Sequence, residues 1–164
     1  MRNGMGDIMA TSLIMMVGAP GSGKTTWIKN AKEFNLEGNH ISRDVIRFSL
    51  VKEDEEYFSR ENEVFDKFIE EIQKSIDAGQ RTYVDATNLN ERSRNKVLDR
   101  LNLENVDLYA LVFNIPLEEC LRRNALRTGR EVVPESALTR MHKSMTNPRG
   151  DQKYKYKEVY VIYA

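Results

Sequence analysis

Residues 13–26 read LIMMV, then GAPGSGKT, then a second threonine, Thr26, and this stretch decides the fold. Leu13 to Val17 is an unbroken apolar run, the pattern of a parallel strand buried on both faces. Gly18 to Thr25 matches G-x-x-x-x-G-K-S/T in full, and an amphipathic segment follows it with Trp27, Ile28, Ala31 and Phe34 at helical spacing. Strand, glycine loop and helix in register make a loop that cradles the phosphates of a nucleoside triphosphate. Gly21 and Gly23 let the backbone turn its N–H groups toward anionic oxygens. The helix N-terminus adds its dipole over Ser22 to Thr26. Lys24 offers a mobile positive charge to the outer phosphates, and the Thr25 hydroxyl is a ligand suited to Mg²⁺.

Outward from this loop the elements alternate. Short extended runs at His40 to Ser42, Thr82 to Asp85, Asp107 to Asn114 and Val159 to Tyr163 are separated by helical patterns. These cover Val45 to Val51, a long segment bearing Val64, Phe65, Phe68, Ile69, Ile72 and Ile76 that stops at Gly79, and Asn90 to Leu101. They continue from Leu117 to about Arg127, behind Pro116, and from Glu135 to Met145. The expected fold is α/β with three layers: a mainly parallel five-stranded sheet, helices on both faces, and an arginine-bearing lid. All 164 residues read as one domain, with residues 1–12 a loosely ordered lead-in.

Composition narrows the function classes. Lys plus Arg and Asp plus Glu are both 25, so the formal charge is zero and a broad basic coat for nucleic acid is not expected. One cysteine and two histidines give neither an internal disulfide nor a zinc set. No apolar run is long enough for a membrane span, and the start lacks a secretory pattern, so a cytoplasmic location is expected.

Three further clusters suggest where a phosphoryl group goes. Arg43, Asp44 and Arg47 follow the second strand. Asp44 is placed to take a hydroxyl proton, and Arg47 to hold an anionic acceptor, although an N-capping aspartate beside solvated arginines would read the same way. Asp85 ends the third strand, where a carboxylate can hold Mg²⁺, while Thr87 and Asn88 either line an acceptor groove or make the turn. Arg122, Arg123, Arg127 and Arg130 suit a lid over the triphosphate, or a solvated helix end. Cys120, His40 and His142 read as structural, and Glu53 to Glu56 as a solvated loop. The Lys- and Tyr-rich stretch from Lys153 reads as the approach to the last strand.

GAPGSGKTTW, ISRDVIR, VDATNLNERSR and RRNALRTGREVVPESALTRMHKSM together resemble the 5′-hydroxyl polynucleotide kinases, meaning the kinase domains of phage polynucleotide kinase-phosphatase and of bacterial RNA end-healing enzymes. The likeness runs over about residues 13–146. It implies transfer of the γ-phosphate of ATP, with Mg²⁺, to the 5′-hydroxyl end of DNA or RNA. It puts the general base on Asp44 and the acceptor-phosphate arginine on Arg47. Lys24, Arg123 and Arg127 fall on the donor phosphates, and Asp85 on the third-strand aspartate. Neither a D-x-D-G-T phosphatase motif nor a K-x-D-G ligase motif occurs, so phosphatase and ligase are expected as separate proteins. A P-loop kinase of a small molecule is the alternative, and a nucleotide-dependent switch a distant third.

Overall fold

The computed structural model describes residues 11–163. Five strands, β1 (Ser12–Val17), β2 (Asn39–Ser42), β3 (Thr82–Asp85), β4 (Asp107–Asn114) and β5 (Glu158–Tyr163), form one sheet in the order β2-β3-β1-β4-β5. Every pairing is parallel. Six α-helices connect them: α1 (Lys24–Lys29), α2 (Arg43–Leu50), α3 (Glu61–Asp77), α4 (Glu91–Leu98), α5 (Leu117–Ala125) and α6 (Glu135–Lys143).

The side chains of β1 show why the layers form. Successive residues of a strand point to opposite faces. Leu13, Met15 and Val17 join Phe65, Phe68, Ile69, Ile72 and Ile76 of α3 and Val97 and Leu98 of α4. Ile14 and Met16 join Ile28, Cys120 and Leu138 on the other face. A strand wedged between two helical layers has no solvent face, which is why its sequence is apolar throughout.

Helix ends follow local chemistry. Gly79, at φ 74°, closes α3, with Gln80 N–H returning to the Ser75 carbonyl. Asn90 and Ser93 cap α4 reciprocally. The helix expected from Lys24 to Phe34 stops at Lys29 and gives way to a 3₁₀ turn over Ala31–Phe34. Asn35 there adopts φ 58°, and Leu36 N–H returns to the Ala31 carbonyl. This cap turns Leu36 into the core in place of Phe34, which stands 61% exposed. Helix α5 likewise ends at Ala125, so Arg127 lies beyond it, and Pro116 is its cap rather than a first-turn residue. The lead-in expected over residues 1–12 lies, up to residue 10, outside the described residues, and Ser12 already belongs to β1.

The strand order places the site. From β1 the chain crosses to the β2 edge, returns through β3, then passes to β4 on the other side. Ligands of such sheets bind beyond the carboxyl ends of the strands, at the point where the order reverses. There the loop after β1, the end of β3 and the start of α2 converge. The register pairs Ser42 with Asp85, so Arg43 and Asp44 emerge level with that aspartate.

Candidate active site

The loop Gly18–Thr25 has the conformation its glycines anticipate: Gly21 at φ 81° and Gly23 at φ 100°. Gly18 is constrained as well, because a Cβ there would lie 2.5 Å from Ser22 Oγ. Its N–H donates to the Thr87 carbonyl at 3.0 Å, tying the loop to the turn after β3. Lys24 is buried, and its Nζ donates to the carbonyls of Gly18 (2.7 Å) and Ala19 (3.0 Å). Burial pushes its ammonium from the ordinary 10.5 down to about 8, against the opposing pull of Asp85 and Asp44.

Asp85 is buried at the end of β3. Its Oδ2 accepts from the Thr25 hydroxyl at 2.8 Å and meets His40 Nε2 at 2.7 Å. Burial works to raise this carboxyl, yet the hydrogen bonds from His40 and Thr25, with the charge of Lys24, hold it below its usual value. His40, expected to be structural, is therefore part of the site. It faces Tyr83 in the register, two residues short of Asp85, so period-two alternation puts it on the same sheet face. A hydroxyl and a carboxylate at this separation form a hard-oxygen pair, the donor type Mg²⁺ takes alongside phosphate oxygens and water. No group of three or more His, Cys, Asp or Glu residues that could hold a metal occurs among the described residues.

On the acceptor side Ser42, not Asp44, caps α2: its Oγ accepts from Val45 N–H at 3.2 Å. Asp44 is thus free of capping, with a side chain 76% exposed and Oδ1 held 2.6 Å from Arg47 Nη1. Glu61, the first residue of α3, clamps Arg47 through Nε (2.6 Å) and Nη2 (3.0 Å) and also accepts from Arg43 Nη2 (3.2 Å). The Arg47 hydrogen bonds hold the Glu61 carboxyl below the ordinary range. Arg43 lies against the Phe65 ring, 5.4 Å to its centroid. Arg43, expected beside Arg47 at the acceptor site, thus shares Glu61 with it and packs on α3.

Asn88 takes up the turn reading. It is buried at φ 47°, and its Nδ2 donates to the Met16 carbonyl at 2.8 Å. Its carbonyl and Thr146 accept from Arg94, itself fully buried and paired with Asp151 at 2.8 and 2.7 Å. Of the two readings for Thr87 and Asn88, Asn88 holds the turn, and Thr87 contributes a carbonyl to the phosphate loop.

The lid arginines divide their tasks. Arg123 reaches the phosphate loop, donating to the Gly21 carbonyl at 3.2 Å, while Glu119 holds its Nε at 2.9 Å. Hydrogen bonds from Arg122 and Arg123 pull the Glu119 carboxyl down to about 2. Arg127 lies past the helix end, near enough for its charge to depress the Lys24 ammonium. Asn124 clasps Val133 in both directions, fixing the base of the lid. At its tip Arg130 Nη2 donates to the carbonyls of Lys52 (2.9 Å) and Glu53 (2.7 Å). The acidic segment Glu53 to Glu56 is largely solvated, as expected, and its backbone is held by Arg130. Arg122 stays on the surface, paired with Glu119.

Sequence reading missed Glu61, Glu119, Asn124 and the role of His40. Glu61 and His40 act on partners remote in sequence and Asn124 on backbone groups, none of which leaves a periodic mark, whereas Glu119 stands three and four residues before Arg122 and Arg123, a helical spacing that could have revealed it. Two surface hollows lie away from this site: one of about 360 Å³ beside Gly38 and Arg81, at the opposite end of the sheet, and one of about 630 Å³ along α4, lined by Glu91, Asn95 and Asp99.

Residues 13–148 match the AAA domain family. The chain belongs to that family. Among solved structures, a chain of the Pnkp1/Rnl/Hen1 RNA repair complex is similar at 26% identity with a TM-score of 0.65, over 83% of this chain and 44% of that one. A gluconokinase from Sinorhizobium meliloti is 16% identical with a TM-score of 0.56, over 94% of this chain and 83% of its own. Kti12 from Chaetomium thermophilum with ADP-AlF3 is 14% identical with a TM-score of 0.65, over 93% and 89%. The chain spans less than half the length of the RNA-repair chains it matches, 41% and 44%. The fold is that of P-loop kinases. Among the described residues no helix is long and apolar enough to cross a membrane.

Proposed function

We propose that this AAA domain is an ATP-dependent 5′-hydroxyl kinase acting on the ends of DNA or RNA in nucleic-acid repair. The observation that carries the reading is the arrangement of Asp44: uncapped, exposed, one turn from a clamped arginine, and close enough for its charge to act on Lys24. A carboxylate in that position serves a hydroxyl nucleophile, and the arginine beside it serves an acceptor that carries its own phosphate. The likeness to a chain of an RNA repair complex at 26% identity supports a polynucleotide acceptor.

In the reaction, O5′ attacks the γ-phosphorus in line as the bond to the β–γ bridging oxygen breaks, and ADP leaves. Asp44 orients the hydroxyl and accepts its proton. Lys24 and the lid residues Arg123 and Arg127 offset charge on the outer phosphates, and the loop N–H groups from Gly21 to Thr26 hold the donor in place. Thr25 and Asp85 would hold Mg²⁺, whose chemistry when bound is neutralisation of phosphate charge. Arg47 grips the acceptor phosphate, with Arg43 and Glu61 behind it. A phosphatase and a ligase are the partners this reaction calls for, and this stretch of chain is read as a cytoplasmic kinase domain.

The alternative acceptor is a small metabolite, a reading favoured by the gluconokinase that shares the fold over most of both chains. Transfer of labelled γ-phosphate from ATP to short 5′-hydroxyl DNA and RNA separates the two. End labelling that falls about 10²–10⁴-fold in Asp44→Ala, with ATP binding retained, is the expected result. Protein that binds ATP yet labels neither polymer would overturn the polynucleotide assignment.

A further inference from the structure

Seven large apolar side chains stand exposed among the described residues, and five of them lie on two elements. Val45, Phe48 and Phe58 belong to α2 and the segment after it, and Leu126 and Val132 to the lid. Single apolar residues at a surface are ordinary, whereas a concentration of them marks a contact site. Arg130 joins the two elements through the Lys52 and Glu53 carbonyls and lies 5.8 Å from the Tyr57 ring centroid.

The aromatic part of this patch is organised. Phe48 and Tyr57 rings are 5.3 Å apart, and Tyr57 and Phe58 rings 4.9 Å. The Arg47 guanidinium lies 5.2 Å from the Tyr57 centroid and 5.1 Å from that of Phe58. Tyr57 is thus engaged by two arginines and two rings. Phe48 and Phe58 remain 44% and 60% exposed. Phe48 also stands four residues after Asp44, on the same helix face, where side chains are about 5–6 Å apart at Cβ.

We infer that Phe48 and Phe58 form a stacking platform for the first nucleobases of the acceptor strand. The inference rests on the end-kinase reading and adds how a polymer end is selected. The base next to the reacting hydroxyl hangs from the same sugar, so with O5′ on Asp44 it falls within a few ångströms of Phe48. Phe58, backed by the Arg47 guanidinium, and Phe48, backed by the Tyr57 ring, offer any base a face without demanding its identity. The chain has no net charge, so a strand gains little from long-range attraction, and stacking supplies affinity that is local and sequence-tolerant. A polyol acceptor would find no hydrogen-bond partner on either phenylalanine ring.

The test uses two 5′-hydroxyl oligonucleotides that differ only at the first nucleotide, intact in one and a tetrahydrofuran abasic residue in the other. The readout is the ratio of kcat/KM for intact over abasic acceptor in wild type, Phe48→Ala, Phe58→Ala and Phe58→Tyr. Stacking of one base predicts a wild-type ratio of roughly 5- to 150-fold. It should fall toward one in the alanine variants and persist in Phe58→Tyr, which keeps a ring. A wild-type ratio near one, with both acceptors phosphorylated, overturns the platform and leaves the end-kinase reading standing. So does a ratio that both alanine variants preserve, or alanine variants that change only the oligomeric state by sedimentation. Phosphorylation of neither oligonucleotide overturns the end-kinase reading and the platform with it.

Discussion

Raising the pH from 7.5 to 9.5 should weaken nucleotide binding by about 20-fold, through Lys24 alone. Its ammonium is buried among the loop carbonyls, and that burial lowers it from 10.5 to about 8. Phosphates beside it favour the charged form and raise it again in the complex. Below pH 8 the lysine is protonated both free and bound, so affinity is level. Above pH 8 the free protein has lost the proton and must regain it to bind, so affinity falls as pH rises. At pH 7.5 roughly three-quarters of free Lys24 is charged and at pH 9.5 about one-thirtieth, a difference close to 2 kcal/mol. Stability of the free fold runs the other way. Between about pH 8 and 10.5 the unfolded chain holds more protons than the folded one, so this group adds stability as pH rises through that window. Titration calorimetry of ATP in EDTA, in two buffers of different ionisation enthalpy, reads both the affinity and the proton uptake. Burial holds the Cys120 thiol above its ordinary value, which limits its share of the signal. Affinity flat within about twofold from pH 7.5 to 9.5 would refute the reasoning, as would a slope that survives in Lys24→Met.

Two further changes probe the supports of the site. Asp151→Ala strands the fully buried Arg94 guanidinium, which should cost about 3–5 kcal/mol and lower Tm by on the order of 10 °C in thermal unfolding. Pairing it with Arg94→Met should recover most of that loss. Glu61→Gln removes the charge that holds Arg47 and Arg43 while keeping the shape. It should raise the acceptor KM about tenfold with the ATP KM little changed, whereas an equal rise in both would place Glu61 on the donor side.

What could be read in the sequence was whatever the chain writes into consecutive or periodic positions. The phosphate loop spans eight residues, and its glycines, lysine and threonine need only one another and the flanking strand and helix to take shape. The apolar spacing of α3 and the unbroken run of β1 register burial residue by residue, so layers and strand count were legible. Ser42 as the cap of α2 was not recognised, although it is local: serine and aspartate within three residues both suit that position, and only the Val45 hydrogen bond decides between them. Phe34 failed for a similar reason, because a left-handed Asn35 handed its core place to Leu36.

Strand order and the second layer of the site were fixed only in three dimensions. His40 meets Asp85 across 45 residues, Arg94 meets Asp151 across 57, Arg130 meets Glu53 across 77, and Arg123 meets Gly21 across 102. Away from a shared helix, where three- and four-residue spacings pair charges, a charged side chain has no preferred sequence separation from its partner. Asp44 and Arg47 were therefore visible as a local pair, while Glu61 and the aromatic rings of Tyr57 and Phe58, which fix where that arginine points, became partners only once α3 packed against the sheet.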